Sequence, residues 1–339
     1  MKCKKFIFKQ HFDGVPKKSD FELVEEELPP LQDGDVLFEA LYISVDPYMR
    51  PVSVKLPLGV TMIGAQVARV VESKHPDFEV GKNVVGQFGW RNKTVANPDT
   101  VLSGFGEKSR PYVLPDFGDI PLSTAIGVLG MPGNTAYFGL TRLCTPKKGE
   151  TLVVTGASGA VGSLVGQIGK ILGLNVIGFV GSDDKAKWLT EELNFDHAFN
   201  YKTCDIAESL KKAAPNGVDC YFDNVGGRIS SAVLDAMNPF GRVACCGYIS
   251  GYNADPKNPP LAPIVQPNIV LKQLKLEGFL SSKWKDCWFE GIEKNLQFIK
   301  EGKLKFKETI VKGFDKTDEA FISLFTSGSD NAGKVVVQV

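Results

Sequence analysis

The chain has 339 residues, and its 39 lysines and arginines balance 39 aspartates and glutamates. That length exceeds what one hydrophobic core usually serves, so two domains are expected, and the neutral balance gives no reason to expect nucleic acid as a partner. No apolar run approaches a membrane span, and the opening Met1-Lys-Cys-Lys-Lys-Phe-Ile-Phe-Lys9 holds too few apolar residues for a signal-peptide core.

The seven cysteines (3, 144, 204, 220, 245, 246 and 287) are scattered, odd in number and lack a Cys-x-x-Cys pair. They read as reduced, mostly buried small hydrophobes of a cytoplasmic chain. The three histidines, at 11, 75 and 197, are not spaced as zinc ligands, so no metal is expected.

The first 120 or so residues carry short runs rich in branched and aromatic residues, at 35–45, 65–71 and 83–88, bounded by Gly, Pro, Asp or Asn. They predict a mainly β domain of partial-barrel type. Helical periodicity begins at Leu122 and runs through 130–143, and an apolar strand opens at Thr151.

Glycines at 156, 159 and 162 then make a strand–turn–helix, with Ala157 where the strict dinucleotide fingerprint has its first glycine. Val161, Leu164, Val165, Ile168 and Leu172 share one face of the helix that follows. Further units alternate: strand 175–180, helix 183–193, strand 197–200, helix 205–214, strand 218–222, helix 229–237 and strand 242–246. Such alternation predicts an α/β, doubly wound parallel sheet of the Rossmann kind.

A proline-rich loop from Asp255 to Pro267 precedes a sixth strand near 276–280, and a helix over 288–301 stops at Gly302. A loop of that length inside a compact domain usually signals function or mobility. The β-like tail 334–339 is placed to return to the first domain. The expected division is 1–126 with 303–339 for the β domain and 127–302 for the Rossmann domain.

In this fold the end of the second strand separates NAD from NADP, because a carboxylate there binds the ribose 2′-hydroxyl and repels a 2′-phosphate. Here Ser182 reads as an N-cap, which draws Asp183 and Asp184 into the first helical turn. Gly181, Ser182 and Lys185 remain near the ribose, with Tyr201 as a second contact. Lys185 as a mere solvated surface lysine is the alternative. NADP(H) is the expected cofactor.

Several stretches together resemble the zinc-independent medium-chain dehydrogenases/reductases, in their prostaglandin reductase 1 branch. They are 19–23, 27–31, Val45-Asp-Pro-Tyr-Met-Arg50, 130–140, Gly159-Ala-Val-Gly-Ser163, Phe199-Asn-Tyr-Lys-Thr203, Asp219-Cys-Tyr-Phe-Asp-Asn-Val-Gly-Gly227 and Cys246-Gly-Tyr-Ile-Ser-Gly-Tyr252. The likeness covers essentially the whole chain. It implies a GroES-like first domain and a homodimer that uses NADPH to reduce the carbon–carbon double bond of enones and enals, 15-oxo-prostaglandins and lipid-derived alkenals among them.

The resemblance places cofactor contacts on Gly159, Ala160, Val161, Gly162, Lys185, Tyr201, Asn224, the loop of Cys246, Gly247, Tyr248, Ile249, Ser250 and Tyr252, on Phe279, Leu280 and Ser281, and on Asn331. The pair Thr155-Gly156 departs from the family's commoner small residues. Leu280-Ser-Ser-Lys-Trp284 and the 255–267 loop depart as well, so substrate preference is less defined than reaction type.

Hydride addition to an enone pushes charge onto the carbonyl oxygen, and without a metal a hydrogen-bond donor must meet it. Tyr252, after the fifth Rossmann strand, is the first candidate; by position alone it could also be a packing tyrosine with its hydroxyl in solvent. Tyr48 could line a substrate cleft between the domains, with Met49 as an apolar wall and Asp46 and Arg50 pairing to fix the turn, or it could be a buried aromatic. Asn224 could bond the ribose or cap its own loop, and position favours the cap. The Cys245–Cys246 pair reads as packing, since neighbours on a strand face opposite ways. The alternatives in function are a zinc-free quinone oxidoreductase and a non-catalytic NADPH-binding protein of crystallin or sensor type.

Overall fold

The computed structural model describes residues 1–255, 257–326 and 331–339. The chain falls into two units, 1–126 with 308–331 and 335–339, and 127–307 with 332–334.

In the first unit β1 (Lys2–Phe8) pairs antiparallel with β2 (Phe21–Glu27), setting Lys2 opposite Glu27 and Lys4 opposite Glu25. The sequence reading left this opening segment without a strand because its lysines interrupt the apolar run. The lysines answer glutamates across the pair, while Cys3, Phe6 and Phe8 are buried. Next come β3 (Val36–Ser44), α1 (Met49–Val52), β4 (Gln66–Ser73), β5 (Asn83–Gly86), β6 (Lys93–Ala96) and β7 (Tyr112–Val113). β3 is the hub of this sheet, pairing antiparallel with β4 and, through its first half, with β6. One core gathers Phe6, Phe8, Phe21, Met49, Met62, Trp90, Phe314 and Phe321.

The second unit opens with α2 (Met131–Phe138), which runs into a π-helical turn over Gly139–Cys144 where a single helix was expected. Strand β8 (Thr151–Thr155) is buried along its whole length, as a central parallel strand covered on both faces must be. There follow α3 (Gly162–Ile171), β9 (Asn175–Val180), α4 (Asp183–Glu191), β10 (His197–Asn200), α5 (Ile206–Ala213), β11 (Val218–Asp223), α6 (Gly227–Asp235), β12 (Met237–Cys245), α7 (Gln266–Leu271), β13 (Lys275–Gly278) and α8 (Trp288–Lys300).

The sheet runs β10-β9-β8-β11-β12-β13, with every registered pair parallel. Strand order therefore reverses between β8 and β11. The carboxyl ends of those strands are where such a sheet takes its ligand. Leu172, expected on the buried face of α3, is instead 36 % exposed, because it caps the helix end.

The remaining elements are β14 (Glu308–Lys312), α9 (Thr317–Ser323) and β15 (Lys334–Gln338). Within the first unit the tail pairs with the second half of β3, Val336 opposite Ser44. Residues 303–307 and 332–334, assigned above to the β domain, group with the Rossmann unit. Backbone bonds explain this: Lys305 N–H donates to Gln167 Oε1, Gly333 N–H to the Ser158 carbonyl and Lys334 N–H to that of Lys307. Helix α7 begins inside the proline-rich loop, of which Pro256 lies outside the described residues.

Arg242 ties the base of this sheet together. Its guanidinium donates to both Glu150 carboxylate oxygens and to the Cys144 carbonyl. Burial pushes the Glu150 carboxyl up, but the bonds from Arg242 and from the Lys147 N–H outweigh it and leave it below its usual range. Removing Arg242 strands a mostly buried carboxylate. Arg242→Ala is expected to cost about 3 kcal/mol at neutral pH, read from urea midpoints. Because the folded carboxyl titrates below its unfolded value, the pair stabilises above the unfolded pKa and stops doing so as pH falls through the folded one. The wild type–variant gap should therefore shrink below about pH 4; a gap independent of pH would remove the ion pair from the account.

Candidate active site

The turn after β8 has the shape an anion needs. Gly156 has φ +61°, a region that favours glycine, and a methyl at Gly162 would lie 2.4 Å from the Gly156 carbonyl oxygen. Ser163 closes the first helical turn, its N–H and hydroxyl both donating to the Gly159 carbonyl. Ala160 lies beside the parallel bridge between Gly159 and Gly333, whereas the N–H groups of Val161 and Gly162 have no hydrogen-bond partner among the described residues. Two open donors at the start of an amphipathic helix suit a pyrophosphate.

At the end of β9, Ser182 is the N-cap of α4, its hydroxyl accepting from Lys185 N–H at 3.4 Å. Asp183 is occupied by Asn200, whose amide donates to it at 3.0 Å. A methyl at Gly181 would lie 3.5 Å from the Tyr201 hydroxyl and 3.6 Å from Cε of Lys202. Tyr201 and Lys202 thus stand together over Gly181. Lys202 was missed in the sequence reading, although it adjoins Tyr201 in a stretch singled out there. An exposed lysine carries no periodic signal.

Loop 246–252 folds onto the turn after β11. Cys246 and Gly247 N–H donate to the Asp223 carbonyl, Ile249 N–H to that of Asn224, and Ser250 N–H and hydroxyl to that of Val225. Tyr252 packs edge-on against Tyr248, ring centroids 4.8 Å apart. A methyl at Gly247 would stand 3.0 Å from the Tyr252 hydroxyl, so a glycine there leaves room for the phenol. Burial pushes the Tyr252 hydroxyl up to about 12 against a backbone hydrogen bond from Tyr248 that works the other way. It is a protonated donor at neutral pH. The same removal from water pushes the Cys246 thiol up to about 12 and the Cys245 thiol up to about 11.

Asn224 does not cap its own turn. Its amide donates to the Thr155 carbonyl at 2.7 Å, joining the β11 turn to the end of β8. Phe279 turns its ring inward against Phe222 and Trp284, which leaves its main chain, with Leu280 and Ser281, at the strand's carboxyl end.

The first unit holds the other expected site residues. Tyr48 is half-buried and stacks on Phe105 at 6.1 Å, and burial together with the Asp46 carboxylate holds its hydroxyl well above the usual range. Met49 is fully buried in the aromatic core, so it is no wall for a substrate; the helical turn after Asp46 points it inward. Arg50 donates to the carbonyl of Gly14, and Asp46 accepts from the Ser44 hydroxyl. The Asn331 amide donates to the Ser323 carbonyl and hydroxyl.

Residues 4–103 match the family described as "N-terminal domain of oxidoreductase", and residues 160–300 the one described as "Zinc-binding dehydrogenase". Among the described residues no group of three or more His, Cys, Asp or Glu side chains could hold a metal ion. Prostaglandin reductase 1 of Rattus norvegicus is 45 % identical over 341 aligned residues, covering 100 % of this chain and 99 % of its own. A 2-alkenal reductase (NADP(+)-dependent) of Nicotiana tabacum is 38 % identical, covering 99 % and 97 %. Among solved structures, CurA of Vibrio vulnificus in complex with NADPH superposes with a TM-score of 0.88 at 35 % identity, covering 99 % of each chain. With such identity along its full length and both units matched, the chain belongs to the medium-chain dehydrogenase/reductase family, in its prostaglandin reductase 1 branch.

Proposed function

We propose that the protein is an NADPH-dependent reductase of the carbon–carbon double bond of α,β-unsaturated ketones and aldehydes, the class that includes 15-oxo-prostaglandins and lipid-derived alkenals. Full-length similarity to relatives named prostaglandin reductase and NADP-dependent 2-alkenal reductase carries this reading. The cofactor is NADP(H), which agrees with the Asp183 carboxylate being engaged by the Asn200 amide and with Tyr201 and Lys202 standing beside Gly181. When bound, it supplies the hydride for the substrate's β-carbon.

The chain's own residues do the rest. The turn from Gly159 through Ala160 to Val161 and Gly162 holds the pyrophosphate, chiefly through the last two N–H groups, Lys185, Tyr201 and Lys202 hold the 2′-phosphate, and the 246–252 loop, Asn224 and 279–281 the nicotinamide half. Tyr252 donates a hydrogen bond to the substrate carbonyl as charge gathers there, and no metal takes part. Tyr48 contributes a substrate contact from the β unit, and Asn331 a cofactor contact. The protein is a cytoplasmic homodimer; no helix of the described residues is long and apolar enough to cross a membrane.

Incubation with NADPH bearing deuterium, and with enones, quinones or no acceptor, tests the reaction. Deuterium on the enone β-carbon is expected; oxidation with quinones alone, or with nothing, would point to the quinone oxidoreductase or the non-catalytic protein instead.

Tyr252→Phe should lower kcat on the order of 10²-fold and NADPH affinity much less; equal losses of both would count against its chemical role. With its phenol protonated up to about 12, wild-type kcat should show no loss from this group between about pH 6 and pH 10. An alkaline loss centred near the ordinary tyrosine value would count against it.

Lys185→Ala and Lys202→Ala should each weaken NADPH by about tenfold while leaving NADH within about twofold. Equal losses for both cofactors would place the 2′-phosphate elsewhere.

A further inference from the structure

Thr155 ends the central strand directly before the glycine turn and is completely buried, as are Leu152, Val153 and Val154 before it. A valine would fill the same volume. A buried hydroxyl costs free energy unless it is bonded, and this one is used fully. It donates to Asp223 Oδ1 at 3.1 Å, accepts from Asn224 N–H at 3.2 Å and lies 3.3 Å from the Tyr221 hydroxyl.

Asp223 is buried too, and besides Thr155 it accepts from Val225 N–H, from Gly226 N–H and from the Ser230 hydroxyl. These bonded partners are neutral donors, and among the described residues Asp223 takes part in no ion pair. Such an arrangement fixes geometry more than it adds stability.

We propose that Thr155 and Asp223 form a clasp that holds the glycine turn of β8 and the Asn224 turn of β11 at one spacing, and that this spacing sets the affinity for NADPH. Both are positioning residues: they act through Gly156–Gly162 on one side and Asn224 on the other. The clasp works with the Asn224 amide, which returns to the Thr155 carbonyl. Without the hydroxyl the two turns lose their common reference, and each ligand half finds its partners displaced. The inference rests on the NADPH assignment above.

The test uses the full chain as wild type, Thr155→Val, Thr155→Ser and Asp223→Asn, with NADPH affinity read by cofactor fluorescence and turnover with an α,β-unsaturated ketone. Thr155→Val should raise both Kd and KM for NADPH by about tenfold, with kcat within about twofold. Thr155→Ser should restore affinity to within about threefold, and the Val and Asn losses should be non-additive in the double variant. If Thr155→Val fails to fold, Thr155→Ala, which removes the hydroxyl without crowding, carries the same expectation. Folded Val or Ala variants with unchanged Kd, or a Ser variant as weak as Val, would overturn the clasp. A wild type that binds NADPH but reduces no enone would sink the functional reading and leave the clasp readable in Kd. A wild type that does not bind NADPH would overturn both.

Discussion

The carboxylate of Asp223 is the point on which the ligand-facing end of the Rossmann unit converges. It caps its own turn through Val225 and Gly226, holds α6 through Ser230 and reaches across the sheet to Thr155. Its main-chain carbonyl receives Cys246 and Gly247, so the loop that carries Tyr252 hangs from the same residue. A parallel sheet supplies a flat edge of carbonyls and little else. Side-chain bonds of this kind turn that edge into a surface with a defined depth.

Much of this was legible before any coordinates. Strand β9 falls where its apolar run begins and ends, because from Val176 to Val180 it is buried and leaves no polar position to blur its limits. The Ser182 cap was equally plain, since serine before two aspartates satisfies both the open N–H groups and the helix dipole. The first strand was not, because its polar alternation is lysine against glutamate and its partner lies across a turn. The helix inside the 255–267 loop was hidden by the prolines around it, one of which, Pro267, opens that helix.

The site divides the same way. Which residues gather at the carboxyl edge follows from the order of strands and motifs. Which way each points does not. Met49 turns into the core, Phe279 sets its ring against Phe222 and Trp284, and Asn224 reaches across to β8 instead of capping its turn. Lys202 enters through a contact over Gly181, and Thr155 through bonds to residues some seventy positions away. Pairings of that range leave no trace in local periodicity.

The thiols beside the Tyr252 loop have a consequence for durability. Cys245 and Cys246 are held protonated by burial and by the neighbouring Asp223 charge, and with a value of about 12 only roughly 10⁻⁵ of the Cys246 thiol is ionised at neutral pH. Unsaturated aldehydes alkylate thiolates, not thiols. Un-ionised, both thiols are poor targets for such electrophiles. The packing around the end of β12 thus sets the reactivity of both thiols as well as their place in the fold.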